Sequence, residues 1–186
     1  MLLALAIPVL GLGYASYVRS QAASRPPIHD IVSDPAAPLV LSERVLALRA
    51  ATPFANPVEA EPHVPDNPRF GAASGQPARA LQRAAYPDIA PITLARSPSE
   101  AFDAALGALQ AQGLTIDAAD AEALRIEAHA QSLWFGFVDD IVVQVSPAPE
   151  GARIDFRSIS RVGVSDLGAN AKRMRAFQSA MEQARP

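Results

Sequence analysis

The chain has 186 residues, 49% of them apolar, and a formal net charge of −3. That allows one ordinary domain with appendages and excludes a globally basic nucleic-acid binder. Cysteine is absent, which excludes disulfides, thiolate metal sites, a cysteine nucleophile and a lipidated N-terminal cysteine.

Residues 2–18 read LLALAIPVLGLGYASYV, without a charge. As a helix, such a run rises about 26 Å at ~1.5 Å per residue, the short end of a transmembrane span. Tyr14 and Tyr17 stand where an interfacial aromatic belt would lie, and Arg19 closes the segment. The expectation is a single-pass N-terminal transmembrane helix, 1–19, in contact with membrane lipid through residues 2–18. A secretory signal peptide is the rival, although no Lys or Arg precedes the run and no good A-x-A site follows it. A buried core helix is a third reading.

Twelve of the 17 prolines fall between Pro26 and Pro91. Proline fixes φ and removes a donor, so residues 20–84 are expected to form an extended spacer. Short helices are predicted at 41–50 and 77–85, neither with a face large enough to fold alone.

From Ser97 the pattern becomes periodic. Ser97-Pro98-Ser99-Glu100 is a capping box with proline at the first helical position, and Gly113 ends the helix it opens. Short strands follow at 114–117 and 123–129, then longer ones at 137–145 and 153–161, with Pro147, Pro149 and Gly151 in the turn between the last two. Ser165 or Asp166 caps a final helix with the stripe Leu167, Ala171, Met174, Phe177, Met181. Residues 85–186 therefore read as a two-layer α+β domain: helix, three or four antiparallel strands, helix. Two helices cover only one sheet face, so Arg125, Glu127, His129, Arg153, Asp155 and Arg157 are expected on an open one.

The run WFGFVDDIVVQV, followed by RIDFRSISRVGVSDLGANAKRMRAF, resembles the domain-of-unknown-function 1499 (DUF1499) family. RPPIHDIVSD at 25–34 and LQRAAYPDIAPI at 81–92 resemble longer, membrane-anchored bacterial members. The resemblance implies association with the bacterial inner membrane or envelope, with the C-terminal domain on the periplasmic side. It implies no activity.

The candidate polar cluster is Asp139, Asp140, Arg157, Ser158, Arg161, Asp166, Asn170 and Arg173. Adjacent strand residues face opposite ways, so Asp139 and Asp140 do not share one ion without a bulge. Arg157 and Arg161 lie on one strand face. The ordinary reading is a carboxylate–guanidinium network with Asp140; the functional one is an anion site at Arg157, Arg161 and Arg173. Ser158 to Gly168 reads as a strand-to-helix turn, with a backbone anion site as its alternative. His29, His63 and His129 lack metal-ligand spacing, and a triad of Ser160, His129 and Asp166 has no nucleophile elbow behind it. Trp134, Phe135 and Phe137 are expected to pack in the core or at a sheet edge. No cofactor, metal or catalytic residue is assigned.

The leading functional expectation is a non-enzymatic envelope module that binds a protein or lipid partner. The alternative is a hydrolase or lyase using Asp139 and Asp140 with the Arg157/Arg161 cluster. A third is a carrier with a cavity lined by Phe102, Leu106, Phe156 and Phe177.

Overall fold

The computed structural model describes residues 24–133 and 135–183. In chain order the elements are β1 (Asp30–Val32), α1 (Glu43–Ala50), a 3₁₀ segment (Pro68–Ala73), α2 (Ala78–Ala85), β2 (Ile92–Leu94), α3 (Pro98–Ala111), β3 (Thr115–Asp120), β4 (Arg125–Gln131), β5 (Val138–Ala148), β6 (Gly151–Ser160) and α4 (Ala169–Gln183). The strands form one antiparallel sheet in the order β1-β6-β5-β4-β3. β2 joins β1 on the outer edge of β6, pairing Ile92 with Ile154 while β1 pairs Asp30 with Ile159.

Strand parity divides the sheet. Ile141, Val143 and Val145 of β5, Ile154 and Phe156 of β6, and Ile126 and Ala128 of β4 face α3 and α4. There they meet Phe102, Ala105 and Leu109 of α3 and Met174, Phe177 and Met181 of α4. Phe156 and Phe177 touch edge to face at 5.5 Å, a favoured aromatic geometry, and with the buried Phe102 they occupy the space that a carrier would need open. Ser97 caps α3 as its spacing predicts: its hydroxyl accepts from the Glu100 amide at 3.3 Å, and Glu100 accepts from the Ser97 amide at 3.0 Å.

Several expectations need correction. The sheet has six strands, not three or four, among the described residues. β1 and β2 are three-residue segments with no periodicity of their own; pairing along β6 is what makes them strands. The fold is also not two-layered, because the second sheet face is covered. Residues 39–58 cross it, with Leu41 and Val45 packed on Val142 and Ile159, and Leu39 and Val58 beside them. The stretch read as a spacer therefore supplies a strand, two helices and a layer of the structure. Nor is any described helix long and apolar enough to cross a membrane. The longest, α4, has 15 residues, and the expected span 1–19 lies outside the described residues.

β5 runs to Ala148 and β6 starts at Gly151, so the hairpin turn holds two residues. Gly151 has φ 126°, and a Cβ there would stand 2.3 Å from the Leu94 carbonyl oxygen. Only glycine lets β2 end so close to this turn.

Candidate functional site

The candidate polar residues gather at one end of the sheet, where β5 begins and β6 ends. The sheet then splits them between its faces, as the period of two requires.

On the outer face, Asp140 sits opposite Ile159 of β6 and beside His129 of β4. Arg161 grips its carboxylate through Nε, 3.0 Å from Oδ2, and Nη2, 2.6 Å from Oδ1. Arg49, from the last turn of α1, adds Nη1 at 2.8 Å from Oδ2. Its other terminal nitrogen donates to the carbonyls of Asn56 and Ser160 at 3.0 and 3.1 Å. Asp140 was expected to pair with Arg157, Arg161 or both; Arg161 is the one that does, and Arg157 pairs instead with Asp30 of β1, Nε to Oδ1 at 3.0 Å and Nη2 to Oδ2 at 2.7 Å. Arg79 of α2 completes that group, Nη2 to Asp30 Oδ2 at 2.6 Å. Burial pushes the Arg79 guanidinium down in pKa, and Asp30 offsets part of that. Asp30, Arg49, Arg79, Asp140 and Arg157 are all buried. Each carboxylate is thus held between two guanidinium groups, the geometry for which arginine is suited.

Glu127, two columns away on β4, serves the cover layer directly. It accepts from the Ser42 amide at 3.0 Å and the Ser42 hydroxyl at 2.5 Å, and Ser42 is the N-cap of α1. Burial alone would raise its pKa, yet Ser42 and Arg125 hold it below the usual glutamate range. A register shift in β3 next to Asp117 lets that carboxylate approach His129, whose Nδ1 lies 2.8 Å from Asp117 Oδ2. Arg125, Glu127, His129 and Arg157 were expected on an open face. They lie instead beneath or at the border of the layer formed by residues 39–58.

On the helix face, Asp139 takes Nη2 of Arg173 at 2.8 Å. Arg173 Nη1 donates to Ser158 Oγ at 2.9 Å and to Asn170 Oδ1 at 2.7 Å. Asn170, fully buried, donates to Ser160 Oγ at 2.9 Å and to the His29 carbonyl at 3.1 Å. Asp166 accepts the amides of Gly168 and Asn170, each at 2.8 Å, and so caps α4. Burial pushes the Asp166 carboxyl up, an effect these amides only partly offset. Asp139 and Asp140 therefore work on opposite sides of the sheet. So do Ser160 and His129, which removes the triad reading. Arg157 and Arg161 are likewise separated from Arg173, which removes the three-arginine anion site. Among the described residues no cluster of His, Asp and Glu suits a metal ion.

Apolar residues also lie where the sequence did not place them. Phe135 and Phe137 were expected to pack in the core or at a sheet edge, but they stack at 5.7 Å in an exposed hairpin tip, 70% and 53% accessible. Leu133 beside them is 91% accessible, and Phe54, in the turn after α1, is 96% accessible. The tip is firmly built. Ser132 N donates to the Phe137 carbonyl at 2.8 Å, Phe137 N to Ser132 Oγ at 2.9 Å, and Gly136 N to the Ser132 carbonyl at 3.0 Å. Phe54 has φ 59°, a conformation costly for an aromatic residue. It belongs to the same end: Asn56 N donates to the Arg161 carbonyl at 2.6 Å, and Arg161 N to the Val138 carbonyl at 2.8 Å. The sequence signal was the cluster at 133–137; polarity alone did not say that it faced out.

A family model described as a protein of unknown function (DUF1499) matches residues 30–181. The match begins at β1 and ends within the last turn of α4. No curated protein matches the chain.

Proposed function

The chain belongs to the DUF1499 family, and from that premise we propose that it is a non-catalytic binding module whose polar cluster is scaffold and whose working surface is the apolar end of the sheet. The observation that carries this is the use made of the acidic residues. Asp30 and Asp140 each lie between two arginines, Asp139 holds Arg173, and Glu127 holds the α1 cap. A general acid or base needs a free proton site within reach of substrate, and each of these carboxylates is engaged by a partner inside the fold. Large apolar side chains on ordered loops, by contrast, are the usual mark of an interaction surface.

The hydrolase or lyase alternative requires Asp139 and Asp140 to act together, and the sheet stands between them. Photo-crosslinking in cells separates the readings. A benzophenone side chain at Phe54 or Phe135 should form adducts, and one at Glu122 or Glu150, exposed at the opposite end, should not. Equal labelling at both ends would overturn the proposal.

A further inference from the structure

Resting on that reading, we propose that the partner is a lipid bilayer, entered by Leu133, Phe135 and Phe137 of the β4–β5 tip together with Phe54. Four observations converge on this partner rather than a folded protein.

The exposed side chains come from two separate loops that project from the end of a sheet. Projecting tips suit a fluid partner that closes around them; small-molecule sites are concave, and protein interfaces need a large complementary patch. The tip itself is fixed by hydrogen bonds from Ser132 and Gly136, so its apolar groups are presented without ordering on contact. The chain also enters the fold at this end. Arg25 donates to the Leu167 carbonyl, and Ile28 accepts from the Asp166 amide at 3.2 Å. Only residues 19–23 separate Ser24 from the uncharged apolar run 2–18. Finally, the charges here suit an anionic surface. Asp117, Asp139 and Asp140 are ion-paired, whereas Arg25 and Lys172, the chain's one lysine, are exposed and form no ion pair among the described residues. Cations at such a rim strengthen attachment to acidic headgroups, and aromatic side chains favour the interfacial depth.

The chain's single tryptophan, Trp134, lies in sequence between Leu133 and Phe135. It reports on the tip even when another segment binds lipid. The full chain is reconstituted into vesicles of phosphatidylethanolamine and phosphatidylglycerol, with and without brominated acyl chains. Trp134 emission should shift to the blue, and bromination should quench it at least twofold. Leu133→Ser/Phe135→Ser should abolish the quenching, since each large apolar side chain withdrawn lowers partitioning about tenfold. Unquenched, solvent-like emission from vesicle-bound protein would overturn the proposal. So would a blue shift present without vesicles, whether dependent on protein concentration (a second copy) or not (cover by the chain itself). Protein adducts from the crosslinking at Phe54 and Phe135, without quenching, would sink the lipid and leave the binding module standing. Quenching with equal crosslinking at both ends would do the reverse.

Discussion

Beneath α1, charged side chains sit out of water; at the end of the same sheet, large apolar side chains sit in it. Arg49, Glu127, Asp140 and Arg157 are each under 5% exposed, while Phe54, Leu133, Phe135 and Phe137 are each more than half exposed. The first arrangement is tolerable because every carboxylate has guanidinium or hydroxyl partners, so desolvation is met by short, charge-assisted bonds. The second has no compensation inside the fold. Polarity that is satisfied internally reads as architecture, and apolar surface that is left unsatisfied reads as a place for a partner.

The contrast breaks first if the buried pairs are dispensable. Asp30→Asn leaves Arg79 and Arg157 without their shared carboxylate, and removing one member of a buried pair typically costs ~3–5 kcal/mol. Urea unfolding should show a loss of that size, and one below about 1 kcal/mol would mean that water reaches the pair. The bond between Asp140 and Arg161 is sharper still. A double-mutant cycle of Asp140→Asn and Arg161→Gln should give a coupling of roughly 0.5–3 kcal/mol, and strict additivity would contradict the geometry at 2.6 Å.

The cover layer makes the next test. Ser42→Ala removes the α1 cap and two donors' worth of anchoring to Glu127 is reduced to the backbone amide alone. A cap substitution costs roughly 0.5–2 kcal/mol, and thermal unfolding should register it. Limited proteolysis belongs with it. If residues 28–94 are integral, the resistant core should start before Ile28; a stable fragment starting near residue 80 would restore the spacer reading.

How much of this the sequence disclosed depends on where the information resides. The α3 capping box, the breaks at Gly113 and Gly151 and the inward parity of Ile141, Val143, Ile154 and Phe156 are local, and they were legible. The burial of Glu127, Asp140 and Arg157 was not, because polar residues alternating along a strand look the same whether they meet water or guanidinium groups. The partners of the last two, Arg49 and Asp30, stand 91 residues before Asp140 and 127 residues before Arg157, in a stretch whose prolines masked the role of α1 as cover. β1 and β2 escaped notice for the same reason: three residues carry no period, and only β6 defines them. The cluster Asp139 to Arg173 was found as a set, but sequence adjacency could not say that the sheet would divide it.

The smallest expected effect is a pH dependence at His29. Burial lowers the pKa of this imidazole below its usual 6.5, so the fold favours the neutral ring. The unfolded chain then binds the proton more readily, and stability is complete above pH 6.5 and falls as the pH drops below it. Thermal unfolding between pH 8 and 5.5 should decline less steeply in His29→Gln than in the wild type; identical slopes would remove His29 from the account.

The most direct test of the central contrast sets one variant from each region side by side in urea. Asp140→Asn should lose about 3–5 kcal/mol, and Leu133→Ser/Phe135→Ser should remain within about 0.5 kcal/mol of the wild type, as surface substitutions do. The opposite order, a stable Asp140→Asn and an unfolded tip variant, would contradict the division into scaffold and working surface.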